Sequence, residues 1–401
     1  MSDFITLVEE YSQKDHAKVH GVIAKCVNGE GKTIYSKIAG YDSIAPDAAP
    51  LREDAVFKYA SATKLMTSIA LLQCVDKELI GLDEPLTKVV PELGTELLKS
   101  DGESGITVEP TQKTITARHL LSHTSGLAYW FLNPLLMKWK KRAEGQKFAN
   151  STRVDEKCNN PLVFEPGEGW EYGVSLDWAG VIVRRLHEGM SLEDYMIENI
   201  WKKVGRSAPF PTFCISRDQE YKDRLMGGAE RAADGSLKPY EFWQGDNAND
   251  QDGGHGLSGT ADDWLAVLAD LVSDSPQLLK PETVALMFEP QIQRDSTSMK
   301  MLLQLRPAWE IVAGPVPDSA VNHGLGGLLV TEEVPSICQP KGILAWGGAA
   351  NTIWFASKDH GVAGFFSTQL HPFGDPMAKN LVNAWKKDFW SQCVAVKELG
   401  V

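Results

Sequence analysis

Ser61 and Lys64 stand three residues apart at the head of an apolar run, in Phe57-Lys58-Tyr59-Ala60-Ser61-Ala62-Thr63-Lys64-Leu65-Met66. On a helix, side chains at i and i+3 leave the same face, so an amine at 64 comes within reach of a hydroxyl at 61. An alcohol attacks a carbonyl only as it loses its proton, and a lysine can take that proton once desolvation disfavours its own charge. Backbone N–H groups at a helix start favour the negative charge that develops on the attacked oxygen. The pattern fixes only two letters, and an ordinary helix start followed by a surface lysine has the same spelling.

The flanking elements must position that pair. Ala55-Val56-Phe57-Lys58-Tyr59 reads as a short extended segment. Ser61 is expected to cap a helix whose apolar face runs through Leu65, Ile69, Leu72 and Val75 and ends before Gly81. The serine therefore belongs at a strand-to-helix corner. Three other stretches supply what the pair lacks. Tyr172, in Trp170-Glu171-Tyr172-Gly173, could pass the serine proton to a leaving group, or be a structural tyrosine packed on the next helix. Lys341 to Asn351 is a strand ending in Gly347-Gly348, suited either to close approach of a ligand to the backbone or to a bulge. His255, in a glycine-rich loop, fits a substrate contact or a turn. His119 and His123 have no visible partner and are left out of catalysis.

Along the chain, an amphipathic helix over residues 3–18 precedes a hairpin, Gly21 to Val27 with Thr33 to Ile38. Residues 61–205 are mainly helical, with elements at 116–122 and 176–188, a capped start at Ser191, and a charged insertion at 99–113. Strand signals return at 324–330, 342–346, 352–356 and 362–367, and a last helix spans 376–394. The expected fold class is α+β: one antiparallel sheet built from both termini, flanked by helices. Residues 1–60 and 206–401 form the sheet region, 61–205 a helical region, and the active site lies between them.

With 401 residues and 43% hydrophobic content, the chain can bury a large core. A net charge of −13 argues against nucleic acid or an anionic membrane as partner. The N-terminus lacks a basic, apolar leader and no stretch reaches membrane-span length, so a cytoplasmic protein is expected. Six scattered cysteines without C-x-x-C spacing read as reduced thiols. No metal and no cofactor are called for.

Together, Tyr59 to Lys64, Arg118-His119-Leu120-Leu121-Ser122-His123-Thr124-Ser125-Gly126-Leu127, Tyr172-Gly173, Leu176-Asp177-Trp178-Ala179-Gly180, Gly324-Leu325-Gly326-Gly327 and Trp346-Gly347-Gly348 resemble the serine β-lactamase-like family. The resemblance covers nearly the whole chain and is strongest to the class C and esterase branch and its fungal transesterases. It implies a β-lactamase/transpeptidase-like fold, with Ser61 as nucleophile, Lys64 as base or relay and Tyr172 as second proton-transfer group. The backbone N–H groups of Ser61 and Ala349 would form the oxyanion hole.

Two departures bear on substrate. A β-lactamase has Tyr-x-Asn where this chain has Tyr172-Gly173-Val174, and Lys-Thr-Gly where it has Trp346-Gly347-Gly348. The amide and the cation that would hold an acylamino, carboxylate-bearing drug are missing. With the aromatics Tyr129, Trp130, Phe131, Trp243 and Phe373, this points to a neutral, apolar substrate.

The expected activity is acyl transfer through a Ser61 ester, from a small ester or thioester, with an acyl carrier among the possible donors, to water or an alcohol, in small-molecule or secondary metabolism. Substrate contacts are expected from Tyr129, Trp130, Trp243, His255, Trp346, Gly347, Gly348 and Phe373. A lactam or amide hydrolase and a catalytically silent ligand-binding protein fit the same residues.

Overall fold

The computed structural model describes residues 3–102, 105–242 and 250–398. Its centre is a seven-stranded sheet in the order Thr33–Gly40, Gly21–Asn28, Val362–Ser367, Thr352–Ser357, Ile343–Gly348, Leu328–Val330, Val321–His323. Every neighbouring pair is antiparallel, with Ile23 opposite Ser367, Ile343 opposite Ser357 and Gly348 opposite Thr352. The first two strands join the last two thirds of the sheet across most of the chain, as the sequence led one to expect.

Both faces of the sheet are covered, which explains its composition. All six residues of each of the strands Ile343–Gly348, Thr352–Ser357 and Val362–Ser367 are buried. Strands buried on both sides read as unbroken apolar runs rather than alternating ones. Successive side chains still point to opposite faces. Phe365 meets Trp264 of the Ala261–Val272 helix (6.3 Å between ring centres), while Phe366 stacks at 5.7 Å on Trp385 of the Pro376–Glu398 helix. The Asp3–Tyr11 helix packs beside that last helix.

Several boundaries differ from expectation, each for a physical reason. The first helix ends at Tyr11, and residues 14–16 form only a short 3₁₀ turn. The strand Glu96–Ser100 pairs antiparallel with Ile106–Pro110 where a plain insertion was expected. The run 324–330 is not one strand: Gly324 N–H donates to the Gly327 carbonyl at 2.8 Å, making a tight turn between two short strands, with Gly326 at φ +90°. Only glycine takes that conformation readily.

The Ala261–Val272 helix, unassigned from sequence, is the main cover of one sheet face. Thr260 caps it, in a reciprocal box with Asp263. Cys26, Cys74, Cys158, Cys214, Cys338 and Cys393 are free of disulfides. No helix among the described residues is long and apolar enough to cross a membrane.

Candidate active site

The site begins at the corner that carries Ser61. The strand Val56–Lys58 pairs with Ser258–Thr260, and the Tyr59 hydroxyl donates to the Thr260 carbonyl at 2.6 Å, tying down the residue before the corner. Ala60 then turns the chain at φ +48°, a left-handed conformation that an alanine holds only under the constraint of its surroundings. A 3₁₀ turn over Ala60–Thr63 leads into the Lys64–Asp76 helix.

Ser61 is therefore not the expected capping residue: the helical ladder passes through the backbone, and the serine side chain makes no cap hydrogen bond. Half-buried, its hydroxyl has no hydrogen-bond partner among the described residues. Its N–H lies ahead of the first helical bond, in which Ala62 donates to the Tyr59 carbonyl at 3.1 Å.

Strand Ile343–Gly348 ends against this corner. A Cβ on Gly348 would lie inside the Tyr59 carbonyl group and 3.2 Å from the Ala60 Cβ, so only glycine permits the approach. Gly347 is excluded from bearing a side chain by its own sheet, since a Cβ would lie 2.7 Å from both Ile353 Cδ1 and the Thr352 carbonyl. Half-buried Ala349 follows immediately.

Lys64 is 2% exposed and Nζ donates to the Tyr129 hydroxyl at 2.9 Å and to the Gly254 carbonyl at 2.8 Å. It also sits 4.7 Å from the centre of the Tyr172 ring. The expected direct hydrogen bond to Ser61 is absent among the described residues; two of the three ammonium hydrogens go to Tyr129 and Gly254. Tyr172 is brought into the cluster by its ring, 5.4 Å from both Tyr129 and Trp346 and 5.1 Å from His123. Burial pushes the Tyr129 phenol well up, so it stays protonated at neutral pH.

His123, which has no partner visible in the sequence, packs on Tyr172, Trp170, His323 and Trp346. Burial pushes it well below the usual histidine range, and His323 falls to about 4 for the same reason. They form an uncharged aromatic wall. His119 instead completes the cap of the Ala117–Leu121 helix with Thr116.

The remaining predicted contacts separate. Trp346, 8% exposed, lines the Tyr172 side of the cluster. Trp130 and Phe131 are 49% and 47% exposed beside Tyr129, with Phe131 stacked on it at 5.2 Å. Phe373 makes no ring contact with the cluster among the described residues; its neighbour Gly374 donates to Asn351 Oδ1 at 2.9 Å, beyond the end of the Gly347-Gly348 strand. Trp243 lies outside the described residues.

His255 faces two buried carboxylates, its Nε2 4.0 Å from Asp177 Oδ1 and 3.9 Å from Asp252 Oδ1. These three residues bring ligand-type atoms within 4.8 Å of one another. Lys157, 2.5 Å from Asp252, and Lys64, whose charge acts on Asp177, already answer the carboxylates, so the donor set is suited to internal ion pairing more than to a metal.

A half-buried serine at a strained corner, a buried lysine one helical turn on and two tyrosines around that amine are the residue types a serine acyl-transfer centre requires. Residues 6–386 match the Beta-lactamase family model, and the chain belongs to that family. It is an enzyme of the serine hydrolase and acyltransferase type. The chain is 56% identical to Acyltransferase calJ of Penicillium decumbens, with 98% of each chain covered. It is 31% identical to Lovastatin esterase of Penicillium rubens, over 96% of this chain and 97% of that one. The unliganded Simvastatin Synthase (LovD) of Aspergillus terreus superposes with a TM-score of 0.85 at 30% identity, covering 98% of this chain and 99% of that one.

Proposed function

We propose that the enzyme moves a small acyl group, by way of an ester on Ser61, to the hydroxyl of a small, largely apolar acceptor in secondary metabolism. The observation that carries this reading is the Lys64 amine, 2% exposed and held by Tyr129 and Gly254 under the Tyr172 ring, next to a serine hydroxyl without a partner.

In the first step Ser61 Oγ attacks the donor carbonyl carbon, and its one proton passes to the Lys64 amine, which acts as the base. Negative charge on the carbonyl oxygen is met by the N–H groups of Ser61 and Ala349, fixed relative to one another by the contact of Gly348 with Tyr59 and Ala60. The tetrahedral intermediate collapses, the bond to the leaving alcohol or thiol breaks as Tyr172 gives it the phenol proton, and Lys64 passes the serine proton on to Tyr172. The acceptor hydroxyl then retraces the path. Hydrogen bonds between catalytic groups often tighten only once substrate is bound, so Lys64 turning from Tyr129 toward Ser61 belongs to that first step.

Transfer is favoured over hydrolysis because the 56% relative is named an acyltransferase and the 31% relative an esterase. The half-exposed Trp130 and Phe131 suit an apolar substrate at the mouth of the site. Among the described residues Trp346 stands where the family's cation would be, which fits a neutral acyl donor, presented as a free thioester or on an acyl carrier. The reading places the enzyme in the cytoplasm, and its site at the seam between residues 61–205 and the sheet region of 1–60 and 206–401.

Turnover of a short acyl thioester with rising concentrations of an alcohol tests this. Ester product outpacing free acid supports transfer; free acid alone, at every alcohol concentration, refutes it.

A further inference from the structure

We propose that Asp177 is a positioning residue for Lys64, acting through the backbone of Gly254. The proposal rests on the reading of Ser61 and Lys64 given above.

Asp177 is 1% exposed, on the helix that begins three residues after Tyr172. Its Oδ1 accepts the Gly254 N–H at 2.9 Å, and the Gly254 carbonyl accepts from Lys64 Nζ at 2.8 Å. One residue is thus clamped between the carboxylate and the amine. Nothing larger fits: a Cβ at 254 would lie 2.8 Å from Asp177 Cγ, and one at 253 would lie 2.7 Å from the Leu176 carbonyl. The loop is also sewn to the Lys64 helix on either side of the amine. Thr67 Oγ1 donates to the Gly253 carbonyl at 2.7 Å, and Thr63 Oγ1 accepts the Leu257 N–H at 3.1 Å.

The second carboxylate oxygen of Asp177 has no hydrogen-bond partner among the described residues. A buried carboxylate left half-satisfied is costly, and Asn or Ser at 177 would meet the Gly254 N–H without that cost. What the carboxylate adds is negative charge two hydrogen bonds from the Lys64 amine. The other groups facing Lys64 are Tyr129, Tyr172, His123 and His255; those facing Asp177 are His255, Asp252, Tyr129, Cys158 and Lys157. Asp177 therefore sets both the direction of Lys64 and the electrostatic setting in which it exchanges protons.

Two experiments on the full chain test this. The first is the pH dependence of the Ser61 acylation burst with p-nitrophenyl acetate. In Asp177→Asn, whose amide oxygen still accepts from Gly254, the acid limb should fall by about one pH unit. In Asp177→Ala the burst rate should drop about 10-fold or more with KM within about twofold of wild type, and Asn should restore most of it. A limb that stays in place in Asp177→Asn overturns the proposal.

The second is a thermal-denaturation cycle that needs no activity. Asp177→Asn should lower Tm in the wild-type background and raise it in Lys64→Met, where the carboxylate has lost its cation. Equal shifts in both backgrounds overturn the proposal. Absence of any burst in wild type would instead count against Ser61 as nucleophile, leaving the cycle to judge Asp177.

Discussion

Lys64 gives its hydrogen bond to Tyr129, at 2.9 Å, and meets Tyr172 only through the ring. The two tyrosines thus hold different relations to one amine. A hydrogen bond to Tyr129 orients the amine, while Tyr172 offers it the face of its ring.

These relations predict unequal losses. Tyr172→Phe should slow acylation by about 10²-fold or more, the scale of a lost proton-transfer group. Tyr129→Phe should cost about 10-fold, because Gly254 still holds Lys64. Single-turnover acylation rates of both variants check the order, and a larger loss in Tyr129→Phe would reverse the assignment.

Gly348→Ala should disable the enzyme through geometry. The added methyl would overlap the Tyr59 carbonyl group, so the corner bearing Ser61 or the strand end bearing Ala349 must move. The expected cost is about 1–3 kcal/mol of stability, with loss of acylation in the protein that remains folded. Urea denaturation and the burst amplitude measure the two effects separately.

Trp130 and Phe131 stand half-exposed beside Tyr129. Replacing both by Ser should leave Tm within about 2 °C, since exposed positions contribute little stability. KM for an apolar acceptor should rise while that for a short ester holds. Unchanged KM for both would remove this lip from the binding surface.

Lys386 predicts a pH dependence of stability away from the site. It is fully buried on the last helix, donates to the Val312 carbonyl, and burial pushes it down from 10.5 to about 7. Between those values the unfolded chain binds a proton that the folded chain does not, so this residue makes stability rise as pH goes from about 7 to about 10.5. Lys386→Met should be more stable than wild type at pH 7, and the gap should close toward pH 10. Denaturation midpoints at the two pH values test the sign.

Much of the sheet could be read because local signals agreed with the final packing. The hairpin from Gly21 and the pair 352–357 and 362–367 carry β-rich runs around turn residues, and both lie where expected. Other features depended on distant partners. Nothing in Ala60 itself announces φ +48°, which is imposed by Tyr59, Gly348 and the strand they meet. The Asp177–Gly254 hydrogen bond spans 77 residues, and a lone aspartate near Tyr172 gives no hint of it.

The Ala261–Val272 helix carries a local signal in its own sequence. Its signal was Thr260 followed three residues later by Asp263, ahead of a periodic run of Trp264, Leu265, Leu268 and Val272. The place of His123 is not legible in the sequence, because its neighbours Trp170, Tyr172, His323 and Trp346 meet only in the fold.

The central claim is an acyl ester on Ser61, and intact-protein mass spectrometry during turnover of a p-nitrophenyl ester or a short acyl thioester tests it most directly. Wild type should gain the mass of one acyl group, mapped by peptide digestion to Ser61 and lost when an alcohol acceptor is added, while Ser61→Ala should gain none. An equal adduct on Ser61→Ala, or turnover in wild type with the acyl group on another residue, would contradict the account.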